Sequence, residues 1–328
     1  MKAATTQGFG FNSVLVVEDT SKPKVGPKEV LVEVYGSSVN PKDWKLNQNL
    51  SSFTPRLGGI IKPFIMGDDL AGVVVEKGAK VVGFELGDRV YGMNMGLRTA
   101  ACAEYAAIGE HQIAAMPNSL SFIEAGTIPL AGLTALQGLN IGKLKEGQKV
   151  LVIGASGGVG TFAVQIAKAI GAEVTGVCSD RNIELVKGLG ADAVIDYTSR
   201  DYLSEAADYD LVFDTTSYFS LSLCESLLKD DGIYVTTVGG GKAYLNLIKD
   251  NIIFNRQKSK FVLVKSNTSD LNVLRKYIDE GQLKPVLDGE YPLEEIHQAF
   301  ARSKTGRAAG KIAIQVKKVE QEALVASV

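Results

Sequence analysis

Gly154-Ala155-Ser156-Gly157-Gly158-Val159-Gly160 is the stretch whose residue types and spacing point most directly to chemistry. Its glycines allow a tight turn and let a phosphate group approach backbone N–H groups at a helix start, where the helix dipole favours negative charge. The flanks supply the context such a turn needs. Lys149 to Ile153 reads as a buried strand, and after the turn Val159, Phe162, Ala163, Ile166, Ala167 and Ile170 recur at helical period until Gly171 stops the run. Without strand and helix the glycine pattern is a weak signal; between them it is a dinucleotide cradle.

The choice of dinucleotide falls to the end of the next strand, about 20 residues further on, where an acid would bind a ribose 2′-hydroxyl and repel a 2′-phosphate. Cys178 occupies that place. Ser179 and Arg181 follow, a hydroxyl donor and a planar cation suited to phosphate, with Asp180 between them. NADPH is the expected cofactor. Arg181 also suits a surface helix end, and Tyr197, closing the third strand, either packs on adenine or lies at the surface.

These positions need a scaffold, and the sequence changes texture to supply it. Residues 1–124 carry short β-branched runs, Glu29 to Tyr35, Leu70 to Glu76 and Asp88 to Tyr91, punctuated by Pro27, Pro41, Gly67, Gly78, Gly83 and Gly87, which suggests a β-barrel-like unit. Residues 125–265 alternate strands and helices. Strands are expected at Lys149 to Ile153, Glu173 to Cys178, Ala193 to Asp196, Leu211 to Thr215, Ile233 to Val238 and Phe261 to Val264, with helices across Ile183 to Leu189 and Leu221 to Leu228. Six such strands make a doubly wound parallel sheet of the Rossmann type. Residues 266–328, with helices at Asp270 to Glu280 and Leu293 to Ala301 and a strand at Lys311 to Val316, are too short for a domain and are expected to return to the first unit. The fold class is α/β with a second, β-rich domain.

Composition narrows the partners. The 328 residues carry 35 Lys+Arg against 37 Asp+Glu, interspersed, for a net charge of -2, which offers no basic stripe for nucleic acid. Val150 to Ala167 is an uncharged run of membrane-spanning length, but its glycines and the strand before them argue for the cradle instead. No integral membrane segment is expected, nor a secretory or transit peptide. Cys102, Cys178 and Cys224 are far apart and odd in number, which fits a reducing, cytoplasmic setting and no disulfide framework.

Asn40-Pro41-Lys42-Asp43, Gly67-Asp68-Asp69-Leu70-Ala71-Gly72, Gly87 to Gly92, the glycine turn and Gly310-Lys311-Ile312 run in an order that resembles the zinc-independent quinone and enone oxidoreductase branch of the medium-chain dehydrogenase/reductase superfamily. The resemblance spans nearly the whole chain. It implies a GroES-like domain, a Rossmann domain, a cleft between them for the nicotinamide, and a homodimer joined through the Rossmann sheets. By motif match it assigns NADPH contacts to Lys45, Thr134, Ser156, Gly157, Gly158, Val159, Ser179, Arg181, Tyr197, Val238, Phe261, Val262, Gly310 and Lys311. The zinc branch requires a Cys and a His where this chain has Asn40 and Asp68, and a four-Cys lobe that it lacks.

Without a Lewis acid, an already activated acceptor is the natural substrate, either an α,β-unsaturated carbonyl or a quinone. Asn40, Asp43 and Tyr91 are the polar candidates for the reacting end, Asn40 as amide donor or positioner and Tyr91 as proton source. Asn40 could equally form a turn before Pro41, Asp43 could cap a helix starting at Trp44, and water could deliver the proton. Quinone reduction as the main activity, or an NADPH-binding regulatory module with little turnover, are the competing readings.

Overall fold

The computed structural model describes residues 1–7, 14–44, 65–94, 100–204, 207–237 and 258–318. They cluster into two compact units. One contains the described residues of Met1–Leu130, Ser266–Arg275 and Leu287–Val328, and the other those of Ala131–Lys265 and Lys276–Val286.

The second unit holds a six-stranded sheet in the order Ala193–Asp196, Glu173–Cys178, Lys149–Ile153, Tyr209–Asp214, Leu228–Thr237, Ser259–Val262. Every neighbouring pair is parallel. The strands read as continuous apolar runs because both faces are covered: Val150, Leu151 and Val152 are fully buried, as are Leu211, Val212 and Phe213. Helix Gly158–Ile170 buries Phe162, Ala163, Val164, Ile166 and Ala167, and Gly171 ends it at φ 90, a left-handed cap that costs little without a Cβ.

The first unit is built on a seven-stranded sheet running Leu287–Pro292, Lys311–Gln315, Glu29–Val39, Asp69–Lys77, Arg89–Met93, Ile113–Ala115, with Tyr105–Gly109 also paired to Glu29–Val39. Its core gathers Val30, Val32, Val34, Leu70, Val74, Val90, Ile108, Ile113, Ile312 and Ile314. The register sets Val39 opposite Ile312 and Ser37 opposite both Ile314 and Leu70, so the C-terminal end of Glu29–Val39 lies beside two strands that each carry a charged residue at the matching end.

Several elements differ from the sequence expectation. Residues 125–130 cluster with the first unit and 276–286 with the second. The N-terminal hairpin Lys2–Gln7 with Val14–Asp19, the helix Pro129–Ile141 and the strand Leu287–Pro292 lack a clear period and were not foreseen. The helix expected across Leu221 to Leu228 is one turn, Leu221–Cys224, and a 3₁₀ turn, Glu225–Leu227. The next strand begins at Leu228, with a register shift between the Tyr209–Leu228 and Leu211–Ile233 pairs that absorbs the polar Lys229 to Asp231. The sixth strand is Ser259–Val262, earlier than Phe261 to Val264. Val150 to Ala167 is the expected strand, turn and helix, and no helix among the described residues is long and apolar enough to cross a membrane.

Candidate functional site

The candidate residues fall into two groups, one in each unit. In the second, Gly154 closes the first strand at φ 78, with Thr215 and Thr216 packed where a Cβ would stand. A Cβ on Gly160 would lie 2.1 Å from the Gly154 carbonyl oxygen, so the helix can pack this closely on the turn only with glycine there. Gly157, the helix N-cap, is different: a Cβ on it meets nothing nearer than the Gly154 carbonyl at 3.3 Å. The helix start has no side-chain cap, so these residues fit a pyrophosphate.

Ser156 and the Ser179 to Asn182 turn lie side by side. Asn182 Nδ2 donates to Ser156 Oγ at 2.9 Å, and the Asn182 backbone N–H donates to the Ser179 carbonyl at 2.9 Å. Arg181 is exposed beside them, as is Asp180. Burial, with Asp196 and Asp180 nearby, pushes the Cys178 thiol up to about 11, so it is no thiolate at neutral pH. Tyr197 is 57% exposed, with its backbone N–H on the Cys178 carbonyl at 3.1 Å. Thr134 is buried in the helix Pro129–Ile141, Phe261 is half-buried and Val262 buried in the edge strand. Lys45 and Val238 lie outside the described residues.

Sequence reasoning passed over Asp214. Fully buried at the end of the fourth strand, it accepts from the backbone N–H groups of Thr216, Ser217 and Phe219 and from the Tyr234 hydroxyl. It thereby fixes the loop that packs Thr215 and Thr216 against Gly154. Its place at a strand's carboxyl end was the available signal.

In the first unit Asn40, Asp69 and Lys311 form a buried network. Lys311 Nζ donates to Asn40 Oδ1 and approaches Asp69 Oδ2 at 3.3 Å; Asn40 Nδ2 donates to Asp69 Oδ2 at 2.9 Å, and Ser38 Oγ to the same oxygen at 2.6 Å. Asp69 Oδ1 accepts from Leu130 N–H at 2.7 Å. The Asn40 amide is thus held in one orientation, its oxygen on the ammonium and one N–H on the carboxylate. Lys311, expected as a cofactor contact, spends its charge on this network; Gly310 before it adopts φ 93.

Asp43 lies in the helical turn 41–44 and reaches back to accept the Asn40 backbone N–H at 2.8 Å, which is capping of a turn that starts before Trp44. Burial, and then the Asp68 carboxylate, hold its carboxyl well above the usual range. Asp68 is wholly buried. Burial raises its carboxyl to about 6 against the pull of Lys42, which donates to Oδ2 at 2.7 Å, and Oδ1 has no hydrogen-bond partner. Tyr91 does not join this group: it is fully buried and its hydroxyl donates to the Leu271 carbonyl at 2.6 Å, which commits the proton to the core.

The side chains at the two positions where the zinc branch has Cys and His are engaged by other protein groups. Asp68 is committed to Lys42, the amide at Asn40 to Lys311 and Asp69, and no three His, Cys, Asp or Glu among the described residues converge as ligands.

A parallel sheet in this order, with a glycine turn at the carboxyl end of its first strand, joined in one chain to a mostly antiparallel unit, defines a two-domain oxidoreductase. The family model described as "Alcohol dehydrogenase GroES-like domain" matches residues 26–130, and one described as "Zinc-binding dehydrogenase" matches 189–314. The chain is 33% identical to the chloroplast envelope quinone oxidoreductase homolog of Arabidopsis thaliana, over 91% of this chain and 94% of that one. It is 32% identical to the 2-methylene-furan-3-one reductase of Solanum lycopersicum, over 96% and 79%. The structure of the quinone oxidoreductase from Coxiella burnetii superposes with a TM-score of 0.84 at 30% identity, covering 97% of this chain and 99% of that one. The protein belongs to the quinone and enone oxidoreductase branch of the medium-chain dehydrogenase/reductase superfamily, whose members bind a nicotinamide cofactor.

Proposed function

We propose that this protein is an NADPH-dependent, zinc-independent reductase of conjugated acceptors, α,β-unsaturated carbonyls or quinones. The orientation of Asn40 carries the reading. With Oδ1 on Lys311 and one N–H on Asp69, its second N–H is the group left to donate to an oxygen that gains negative charge. Where the zinc branch would have Cys and His, an amide fixed by a buried ion pair does the work of a hydrogen-bond donor. NADPH, when bound, supplies the hydride. Gly157 and the helix start meet its pyrophosphate, and Ser179 and Arg181 its 2′-phosphate. Asp43, whose carboxyl burial raises well above the usual range, accepts the Asn40 backbone N–H and so fixes the turn that carries this amide.

Three buried, unpaired cysteines support a reducing, cytoplasmic setting. The edge strand Ser259–Val262, followed by Leu263 at 63% exposure, supports a homodimer formed by pairing of sheet edges. The test is NADPH oxidation by the purified protein against short enones, alkenals and quinones, with NADH, added zinc and a chelator as controls. Turnover with NADPH that neither zinc nor chelator changes upholds the reading. NADPH binding with no acceptor reduced would move the protein to the regulatory class, and a rate set by added zinc would overturn zinc independence.

A further inference from the structure

We infer that Asn182 is a positioning residue that turns Ser156 into an oriented phosphate donor; this rests on the NADPH reading. A serine hydroxyl has one hydrogen and two acceptor lone pairs, and left alone it rotates among partners. Here Asn182 Nδ2, a donor without ambiguity, occupies a lone pair of Ser156 Oγ at 2.9 Å. The serine cannot point its hydrogen back at that N–H, so the hydrogen is directed elsewhere. Both residues are half-buried, so the pair is neither sealed in the core nor washed freely by solvent.

The pair also joins two pieces of backbone. Ser156 stands immediately before the N-cap Gly157, in the glycine turn, and Asn182 ends the 3₁₀ turn Asp180–Asn182, which carries Arg181. The backbone bond from Asn182 to the Ser179 carbonyl closes that turn, and the side-chain bond moors it to the glycine loop. Asn182 has no need to touch the ligand. It acts through Ser156 by removing the rotor freedom that a serine would otherwise lose on binding an anion. The ligand group is a phosphate oxygen of the dinucleotide, either in the pyrophosphate or on the 2′ position.

The experiment is a double-mutant cycle on the full chain, Ser156→Ala, Asn182→Ala and both together. NADPH and NADH dissociation constants are read by titration of cofactor fluorescence, and folding is checked by thermal midpoint. Ser156→Ala weakens NADPH roughly tenfold, as expected for a hydrogen bond to a charged group, and Asn182→Ala about fivefold. In the Ser156→Ala background Asn182→Ala adds nothing, and KM for NADPH rises with kcat unchanged. A loss confined to NADPH places the contact at the 2′-phosphate; an equal loss for NADH places it at the pyrophosphate. If Asn182→Ala costs the same in both backgrounds, or nothing in either, the inference is wrong while the cofactor reading stands. If the unmodified protein binds neither cofactor, both fall.

Discussion

Lys42 and Asp68 form an ion pair of 2.7 Å in which only one partner reaches water: the lysine side chain is 30% exposed and the aspartate side chain not at all. Breaking a pair of this kind from the exposed side strands a buried charge, whereas neutralising the buried side does not. The ordinary carboxyl value of 3.8 rises to about 6 in the folded chain, so the native state holds a proton that the unfolded state releases between those values. The sign follows: stability contributed by Asp68 is greatest below about pH 4, falls as pH rises to about 6, and is flat above.

Asp68→Asn should therefore leave a flatter profile. Relative to the variant, the unmodified protein should lose up to about 3 kcal/mol of unfolding free energy between about pH 4 and about pH 6.5, measured by urea denaturation at a series of pH values. A difference between the two proteins that does not change with pH would exclude this account of the pair.

Arg181 should govern which nicotinamide is bound. Arg181→Ala is expected to weaken NADPH by about ten- to a hundredfold and to leave NADH within about twofold, because only the 2′-phosphate distinguishes the two ligands. Isothermal titration with both cofactors decides it. Equal losses would place the guanidinium away from the 2′ position.

Asn40→Ala should act on kcat far more than on KM. Losing a donor that meets developing negative charge costs on the order of a hundredfold in turnover, and steady-state kinetics with a short enone reads this directly. A variant with unchanged kcat would remove Asn40 from the chemistry. Because the amide also bridges Lys311 and Asp69, a thermal midpoint must accompany the kinetics.

Gly160→Ala tests the cradle without touching a charged group. The added carbon would lie 2.1 Å from the Gly154 carbonyl, so either the helix or the turn must move, at a cost of about 1–3 kcal/mol. The expected outcome is a lower thermal midpoint together with weaker binding of NADPH and NADH alike. A stable variant with normal affinity would show that the turn is more compliant than its packing suggests.

The strand, turn and helix from Lys149 to Ile170 were legible because local signals agreed: an apolar run, glycines where backbone approaches backbone, and a clean helical period. The helix Pro129–Ile141 was not, because it is apolar nearly all round, with no polar stripe to set a period. The site divided in the same way. The position of Ser179 and Arg181 just after a strand was readable locally, but the partners of Asn40 depend on a residue 271 positions away and on a register that no local pattern encodes. Tyr91 shows the reverse error. A tyrosine in the Gly87 to Gly92 stretch suggests an acid, yet only the fold reveals that its hydroxyl already has the Leu271 carbonyl.

The strand Lys311–Gln315 lies between Leu287–Pro292 and Glu29–Val39. As the chain leaves the ribosome, Asp69 emerges 242 residues ahead of the ammonium that answers its charge. Until that strand slots in, the nascent first unit carries the Asp69 carboxylate without its ammonium and an open strand edge along Gly36–Val39. The glycine turn, by contrast, packs on residues as far along as Thr216, all of which emerge before Lys311. The glycine turn can thus form before the Asn40–Asp69–Lys311 network is complete, and a chaperone that shields the waiting edge would act in that interval.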